Sequence, residues 1–493
     1  MTKARVAVAI VIVVLIAGMS SAIYFFQKHE IEQYIEDIFG GDEKDTCDEN
    51  TTEEAGEPGE PEKAPEEVLE EEPQEPEPPG PIPKPKYNVW TTFFYVSFDN
   101  NIGEWDSWAS DQHYLEMVGS SEYMTLVALV DEEVDGDSHV LLIKEGYSIN
   151  YSTSIINPYW GNELNMADPD TLYEFLKWGV DTFPADYYDV HFMDHGGAWM
   201  GVCQDDTSDD FLWAWEIAQA LSGIKEHLGR NIDLVSCDAC LMGSFKFGYE
   251  ISESVDYLTG CETYGIGSTK EENFYFTGNW LYDVVWGSLD ANPTWTSEEF
   301  AQCQLDCFLS IGPFTAPDSG IYHTESSDTF AVINLKEIGP LYEAMLELGD
   351  ELYASVEGVG SGQTVAERQL ILSVIGHMET PSEFNTESFS GQMDFIGLAT
   401  FTMYDLGDFA DRLVENGPLL CSPDTAKEVK EQLDNVVVAC VHGTNEAAGE
   451  HPDAHGLSVY LPYRGTEYQP EYEYTRFAQD SMWDEFLQEV DWL

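Results

Sequence analysis

The run Tyr188-Asp189-Val190-His191-Phe192-Met193-Asp194 passes directly into His195-Gly196-Gly197. A second run, Asn231-Ile232-Asp233-Leu234-Val235-Ser236-Cys237-Asp238, passes into Ala239-Cys240-Leu241-Met242-Gly243. Both are short and apolar with turn-forming residues at the exit, as a buried strand of a parallel sheet requires. Loops at the carboxyl ends of such strands carry function, and each of these exits presents a reactive side chain. Placed on neighbouring strands, His195 and Cys240 would project from one sheet edge although they lie far apart in the chain.

Further strands are predicted at Val89–Phe98, Tyr123–Val130 and Tyr257–Gly260. Between them Pro169–Val180 and Phe211–Leu221 carry apolar residues at helical spacing, with Asp168 and Asp170 at the first helix start. Strand, helix and strand alternate, which predicts an α/β fold with a mainly parallel sheet flanked by helices. From 291 onward the pattern is mostly helical: Phe300–Leu309, Ile338–Val356, Val365–Ile375, Leu406–Asn416 and Pro423–Leu433. Later strands are predicted at Phe330–Asn334, Val436–Val441 and Gly456–Leu461. Residues 291–493 therefore read as a helical C-terminal extension of the unit begun by a core at 87–290.

The N-terminus differs in kind. Val6 to Phe26 carry no charge, behind Lys3 and Arg5 and ahead of Lys28, which makes 1–28 a membrane anchor or a cleaved signal. Either directs the remaining chain outward. Ile31 to Phe39 has a short helical pattern, and residues 42–86 hold 17 acids, 4 lysines and ten prolines, so 29–86 reads as a juxtamembrane helix and an acidic, Pro-rich, disordered stalk.

The net charge of −73 excludes nucleic acid as a natural partner. The stalk contributes −13 of it, so the acidity is global and points to a halophilic or marine source, where concentrated salt screens self-repulsion. Nine cysteines (47, 203, 237, 240, 261, 303, 307, 421, 440) are too sparse for a disulfide scaffold and leave at least one thiol unpaired.

Taken singly, His195 reads equally as a turn histidine and Cys240 as a small buried hydrophobe. Cys237 and Cys240 also form a C-x-x-C, which opens a redox or zinc reading, but no second pair of that spacing exists.

His-Gly closing one apolar strand and Asp-Ala-Cys-Leu-Met-Gly closing the next resembles the clostripain-like cysteine peptidases, relatives of caspases, legumains and gingipains. The resemblance extends over residues 88 to 493. It includes Trp90-Thr91, Asp99-Asn100-Asn101, Asn165-Met166-Ala167-Asp168-Pro169, Gly456-Leu457-Ser458-Val459-Tyr460-Leu461-Pro462 and Trp483-Asp484-Glu485-Phe486-Leu487.

The resemblance implies a caspase-like fold and a cysteine endopeptidase. Cys240 would be the nucleophile, His195 the proton donor to the leaving amine, and the backbone N–H groups of Gly196 and Cys240 the oxyanion site. It implies protein or peptide substrates cut after Arg or Lys, with Asp238 in the specificity pocket and Glu262 as its second wall. The chemistry requires no cofactor; calcium is left open, with no ligand set indicated. Relatives often mature by a cut between the His and the Cys. Here the only basic residues in that interval are Lys225, His227 and Arg230, so a single-chain enzyme is expected. A catalytically silent surface binding protein on the same scaffold is the competing reading.

Overall fold

The computed structural model describes residues 88–103, 108–263, 269–271, 274–276, 280–311, 329–357, 403–416, 420–442, 454–461 and 468–490. The anchor or signal at 1–28, the stalk at 29–86 and the helix predicted at 365–375 lie outside them. Among the described residues no helix is long and apolar enough to cross a membrane.

In chain order the strands are β1 (Trp90–Ser97), β2 (Met124–Asp131), β3 (His139–Lys144), β4 (Tyr147–Ser152), β5 (Tyr187–Met193), β6 (Gly201–Asp205), β7 (Asp210–Trp213), β8 (Ile232–Asp238), β9 (Val255–Gly260), β10 (Thr269–Glu271), β11 (Phe274–Phe276), β12 (Thr329–Asn334), β13 (Met403–Asp405), β14 (Val437–His442) and β15 (Ser458–Tyr460). Nine of them form one sheet, ordered β14-β12-β9-β8-β5-β1-β2-β3-β4. The five central strands, from β9 to β2, are parallel. Both flanks are antiparallel, with β12 and β14 on one side and β3 and β4 on the other.

Two apolar cores sandwich the sheet, and the period-2 alternation of a strand divides its residues between them. Phe93 and Tyr95 of β1 join the core that holds helices Pro169–Thr182, Ala214–Leu228 and Ile338–Val356. Phe94 and Val96 join the other, with helices Trp108–Val118, Tyr282–Ala291 and Ser297–Ile311. Burial on both faces explains why β1 and β2 read as near-continuous apolar runs rather than alternating ones.

Local signals fix the helix ends. The Asp168 side chain accepts the Asp170 N–H ahead of Pro169, and Gly229 closes helix Ala214–Leu228 at φ 71°. One predicted element is corrected: Phe211, Leu212 and Trp213 belong to β7, paired with β6, and the helix begins at Ala214. The apolar spacing is compatible with either element, and pairing with Gly201–Asp205 decides it. The antiparallel pair β3 and β4 was not anticipated.

Candidate active site

The register of β5 on β8 pairs His191 with Ser236, Phe192 with Cys237 and Met193 with Asp238. One residue on, the Asp194 N–H still reaches the Asp238 carbonyl, at 3.3 Å. His195 and Cys240 thus leave adjacent parallel strands at the same level, the second residue beyond each strand end. Gly196 is where the two exits touch: a Cβ added there would lie 1.9 Å from the Cys240 carbonyl oxygen and 3.0 Å from the Cys240 nitrogen. Only glycine permits that approach. Both candidate oxyanion amides, of Gly196 and Cys240, belong to this contact.

The loop that carries Cys240 is bent and braced. Leu241, directly after Cys240, sits in the left-handed region at φ 65°, a conformation that persists only where surroundings hold it. Its N–H donates to Thr263 at 2.9 Å, and the Gly243 N–H donates to Cys261 at 2.7 Å. Cys240 itself is half-buried, and the neighbouring Cys237 is fully buried with its thiol pushed well up by burial. All eight described cysteines are thiols, so Cys237 and Cys240 are not joined.

His195 is half-buried, and its Nε2 lies 2.6 Å from Asn101 Oδ1. Burial pulls the imidazole down to about 4, so it is neutral at neutral pH, with Nε2–H donating to Asn101. Asn100 donates to Asp194 Oδ1 at 2.8 Å, and the Gln204 N–H donates to Asp194 Oδ2. The Asp99-Asn100-Asn101 segment at the exit of β1 therefore orients the histidine and its neighbour.

Asp238, at the last position of β8, accepts the Tyr282 hydroxyl. Burial raises its carboxyl to about 7, only partly opposed by the tyrosine. No residue motif pointed to Tyr282. Its ring stacks on Trp286 with centroids 5.4 Å apart in the aromatic cluster around the buried His191.

Glu262, expected beside Asp238 as a second pocket wall, is fully buried. Its Oε2 accepts the Gly456 N–H at 2.9 Å, and burial, then the charge of Asp405, hold its carboxyl well above the usual range. With no exposed surface, it offers nothing to a substrate in this state.

A separate acidic group lies where β1 and β2 end. One carboxylate oxygen from each of Asp99, Asp131 and Glu163 falls within 4.8 Å of the others, and Asp131 Oδ2 is buried without a donor. Hard oxygen donors and an orphaned buried carboxylate oxygen fit a calcium-class cation.

A largely parallel sheet with an imidazole and a thiol leaving adjacent central strands is the frame of a caspase-like cysteine peptidase. The chain belongs to the clostripain family of cysteine peptidases, whose model matches residues 94–492. Clostripain of Hathewaya histolytica is 25% identical over 199 residues, which cover 34% of this chain and 36% of that relative. The chain thus aligns with about a third of that protein. Among solved structures, a secreted C11 cysteine protease from Bacteroides thetaiotaomicron, in complex with an irreversible peptide inhibitor, superposes with a TM-score of 0.52 at 17% identity, over 83% of this chain and all of that one. An inactive zymogen C11 protease from Parabacteroides distasonis gives 0.50 at 16% identity, over 81% of this chain and 99% of the other. These likenesses establish the fold.

Proposed function

We propose that the protein is a single-chain cysteine endopeptidase that hydrolyses peptide bonds after Arg or Lys through His195 and Cys240. The observation that carries this reading is the β5–β8 register, which sends the two side chains out of one sheet edge with Gly196 against the Cys240 backbone. The thiol proton passes to the neutral His195 imidazole as Sγ attacks the scissile carbonyl carbon. The oxyanion is held by the N–H groups of Gly196 and Cys240. Collapse breaks the C–N bond, and the His195 proton goes to the departing amine nitrogen. Water, deprotonated by the same imidazole, then releases the acid product from the thioester.

Asp238 supplies the preference for a basic side chain. A desolvated carboxyl with one tyrosine donor gains most from a cation delivered by the substrate. Self-cleavage between the pair is disfavoured. Lys225 and His227 lie within a helix, and Arg230 is tied to Asp233 at 2.6 Å and to the Asp186 carbonyl at 2.8 Å.

If calcium is required, Asp99, Asp131 and Glu163 would hold it and it would act structurally, bracing the segment that reaches His195. Residues 1–28 would anchor the enzyme in the cell membrane, catalytic part outward, or release it as a secreted protein. A halophilic setting suits the net charge of −73, and folding at full activity without added salt would count against it.

The test is cleavage of reporter peptides with Arg, Lys, Asn or Asp before the scissile bond, in salt and reductant. Turnover after Arg and Lys alone, absent in Cys240→Ala, is expected. Turnover after Asn or Asp would reject the role given to Asp238, and no turnover by folded protein would favour the binding-protein reading.

A further inference from the structure

Asp238, the proposed specificity carboxyl, is met by a tyrosine ring held from turning away. Tyr282 is fully buried at the start of helix Tyr282–Ala291, and its hydroxyl donates to Asp238 Oδ2. It is the one side-chain donor to Asp238 among the described residues. Asp238 itself is half-buried, which leaves part of its surface for a substrate.

Aromatic neighbours fix the ring. It stacks on Trp286 at 5.4 Å with 14° between the planes and on Trp280 at 6.3 Å, and the His191 ring stands against it at 5.8 Å and 70°. Phe94 of β1 closes the cluster at 6.4 Å. Trp286 in turn ties the helix to the sheet, its Nε1–H donating to Thr92 at 3.0 Å. Rings packed this closely are held in place, so the hydroxyl is aimed at the carboxylate before any substrate arrives.

We propose that Tyr282 is a specificity-determining positioning residue: its hydroxyl fixes one oxygen of the Asp238 carboxylate, so that the other meets the cation of an Arg or Lys side chain. The inference rests on the reading of Asp238 as the specificity carboxyl. Without the hydroxyl the carboxylate is left desolvated and undirected, and it takes up a proton or turns. Either way the basic side chain loses its partner. A hydrogen bond to a charged group, lost in this way, costs about 10- to 100-fold.

The groups around the pair do not replace the tyrosine. His191 Nε2 lies 3.5 Å behind the hydroxyl, but burial pulls that imidazole down to about 3, so it brings no positive charge. Asp189, also on β5, takes the Ser236 hydroxyl at 2.8 Å, and Ser236 accepts from Gln304 at 2.9 Å. Cys237 joins the opposite core with its thiol pushed well up by burial, and Glu262 is turned to the Gly456 N–H. Asp283, next to Tyr282, is raised by burial and lowered in part by backbone N–H bonds and His113. The positive charge for Asp238 therefore comes with the substrate. Burial raises its carboxyl to about 7 against the pull of the tyrosine, so removing the hydroxyl moves it further up.

The test uses the full chain as wild type, Tyr282→Phe, Asp238→Asn and the double variant. Turnover of Arg and Lys reporters is followed from about pH 5.5 to about pH 9.5, beside alkylation of Cys240 by iodoacetamide, which does not use the pocket. Tyr282→Phe is expected to lose about 10- to 100-fold in kcat/KM at about pH 7, more through KM than kcat. Its acid limb is expected to move upward from about pH 7 by about one unit, while Cys240 is alkylated within about twofold of the wild-type rate. Asp238→Asn is expected to lose Arg and Lys turnover and the limb with it. The double variant is expected to match Asp238→Asn within about threefold, because the hydroxyl then has no carboxylate to hold. If Tyr282→Phe alone fails to fold, recovery of the fold in the double variant supports the same dependence, and failure of both overturns the proposal. With Asp238→Asn impaired, a Tyr282→Phe profile that superimposes on wild type overturns the role of Tyr282 alone. So does one depressed evenly across pH with slowed alkylation, the mark of a structural loss. Wild-type Arg turnover in Asp238→Asn overturns the pocket assignment beneath it.

Discussion

Gly196→Ala is the substitution whose cost the structure fixes best. Its methyl group would sit 1.9 Å from the Cys240 carbonyl oxygen and 2.9 Å from the carbonyl carbon. Carbon and oxygen rest at roughly 3.3 Å or more, so the two strand exits must part by about 1.4 Å. Both contacted atoms are backbone, held by the β5–β8 pairing, so no side chain can turn aside. Overpacking of this kind costs about 1–3 kcal/mol of stability, which a thermal melt reads. The same displacement moves one proposed oxyanion amide and the proposed nucleophile together, so the kinetic losses do not add. Loss of one such donor predicts a fall in kcat of about 100- to 1,000-fold, ~2.7–4 kcal/mol. The assay is kcat/KM on an Arg reporter below the melting temperature, with Gly339→Ala as control, since nothing lies within 4 Å of a Cβ at Gly339. A folded Gly196→Ala enzyme within about threefold of wild type would refute the reasoning, because the contact would then have no part in forming the oxyanion site.

Three further outcomes follow from the charges. Asp238, raised by burial to about 7, must ionise to take a basic side chain, so kcat/KM for Arg substrates should rise through about pH 7. Its contribution to folding runs the opposite way: present in full below the ordinary carboxyl range, it is lost as pH rises through about 7, and Asp238→Asn should abolish both dependences. At Asp99, Asp131 and Glu163, calcium at about 100 times its dissociation constant should stabilise the fold by ~2.7 kcal/mol, read as a rise in Tm that Asp131→Asn removes. An unchanged melt with calcium or chelator would dismiss a cation there.

The central sheet was legible because strands buried on both faces are written as short, predominantly apolar runs, and β1, β2, β5, β8 and β9 begin and end within a residue or two of those runs. His195 and Cys240 stand out as candidates at strand ends, where chemistry gathers, and only the family resemblance gives them their roles. The hairpin of β6 and β7 was hidden because Phe211-Leu212-Trp213 fits a helical stripe as well as a strand, and only the partner strand decides. Glu262 reads as a pocket wall only through the family resemblance, and its burial is not written in the local sequence, where a strand-end acid usually faces solvent. Its partner Gly456 comes from a segment whose approach no local pattern encodes. Tyr282 was missed for the same reason: a tyrosine at a helix start says nothing about a carboxylate 44 positions earlier.

The central claim is that Cys240, activated by His195, is the nucleophile. The most direct measurement treats the full chain with a peptidyl acyloxymethyl ketone ending in Arg and maps the adduct by mass spectrometry in wild type, His195→Ala and Cys240→Ala. One equivalent on Cys240, slowed by at least about 100-fold in His195→Ala, is the predicted result. Labelling of another thiol, Cys203, Cys237 or Cys261 among them, or labelling of Cys240 at an undiminished rate without His195, would contradict the account.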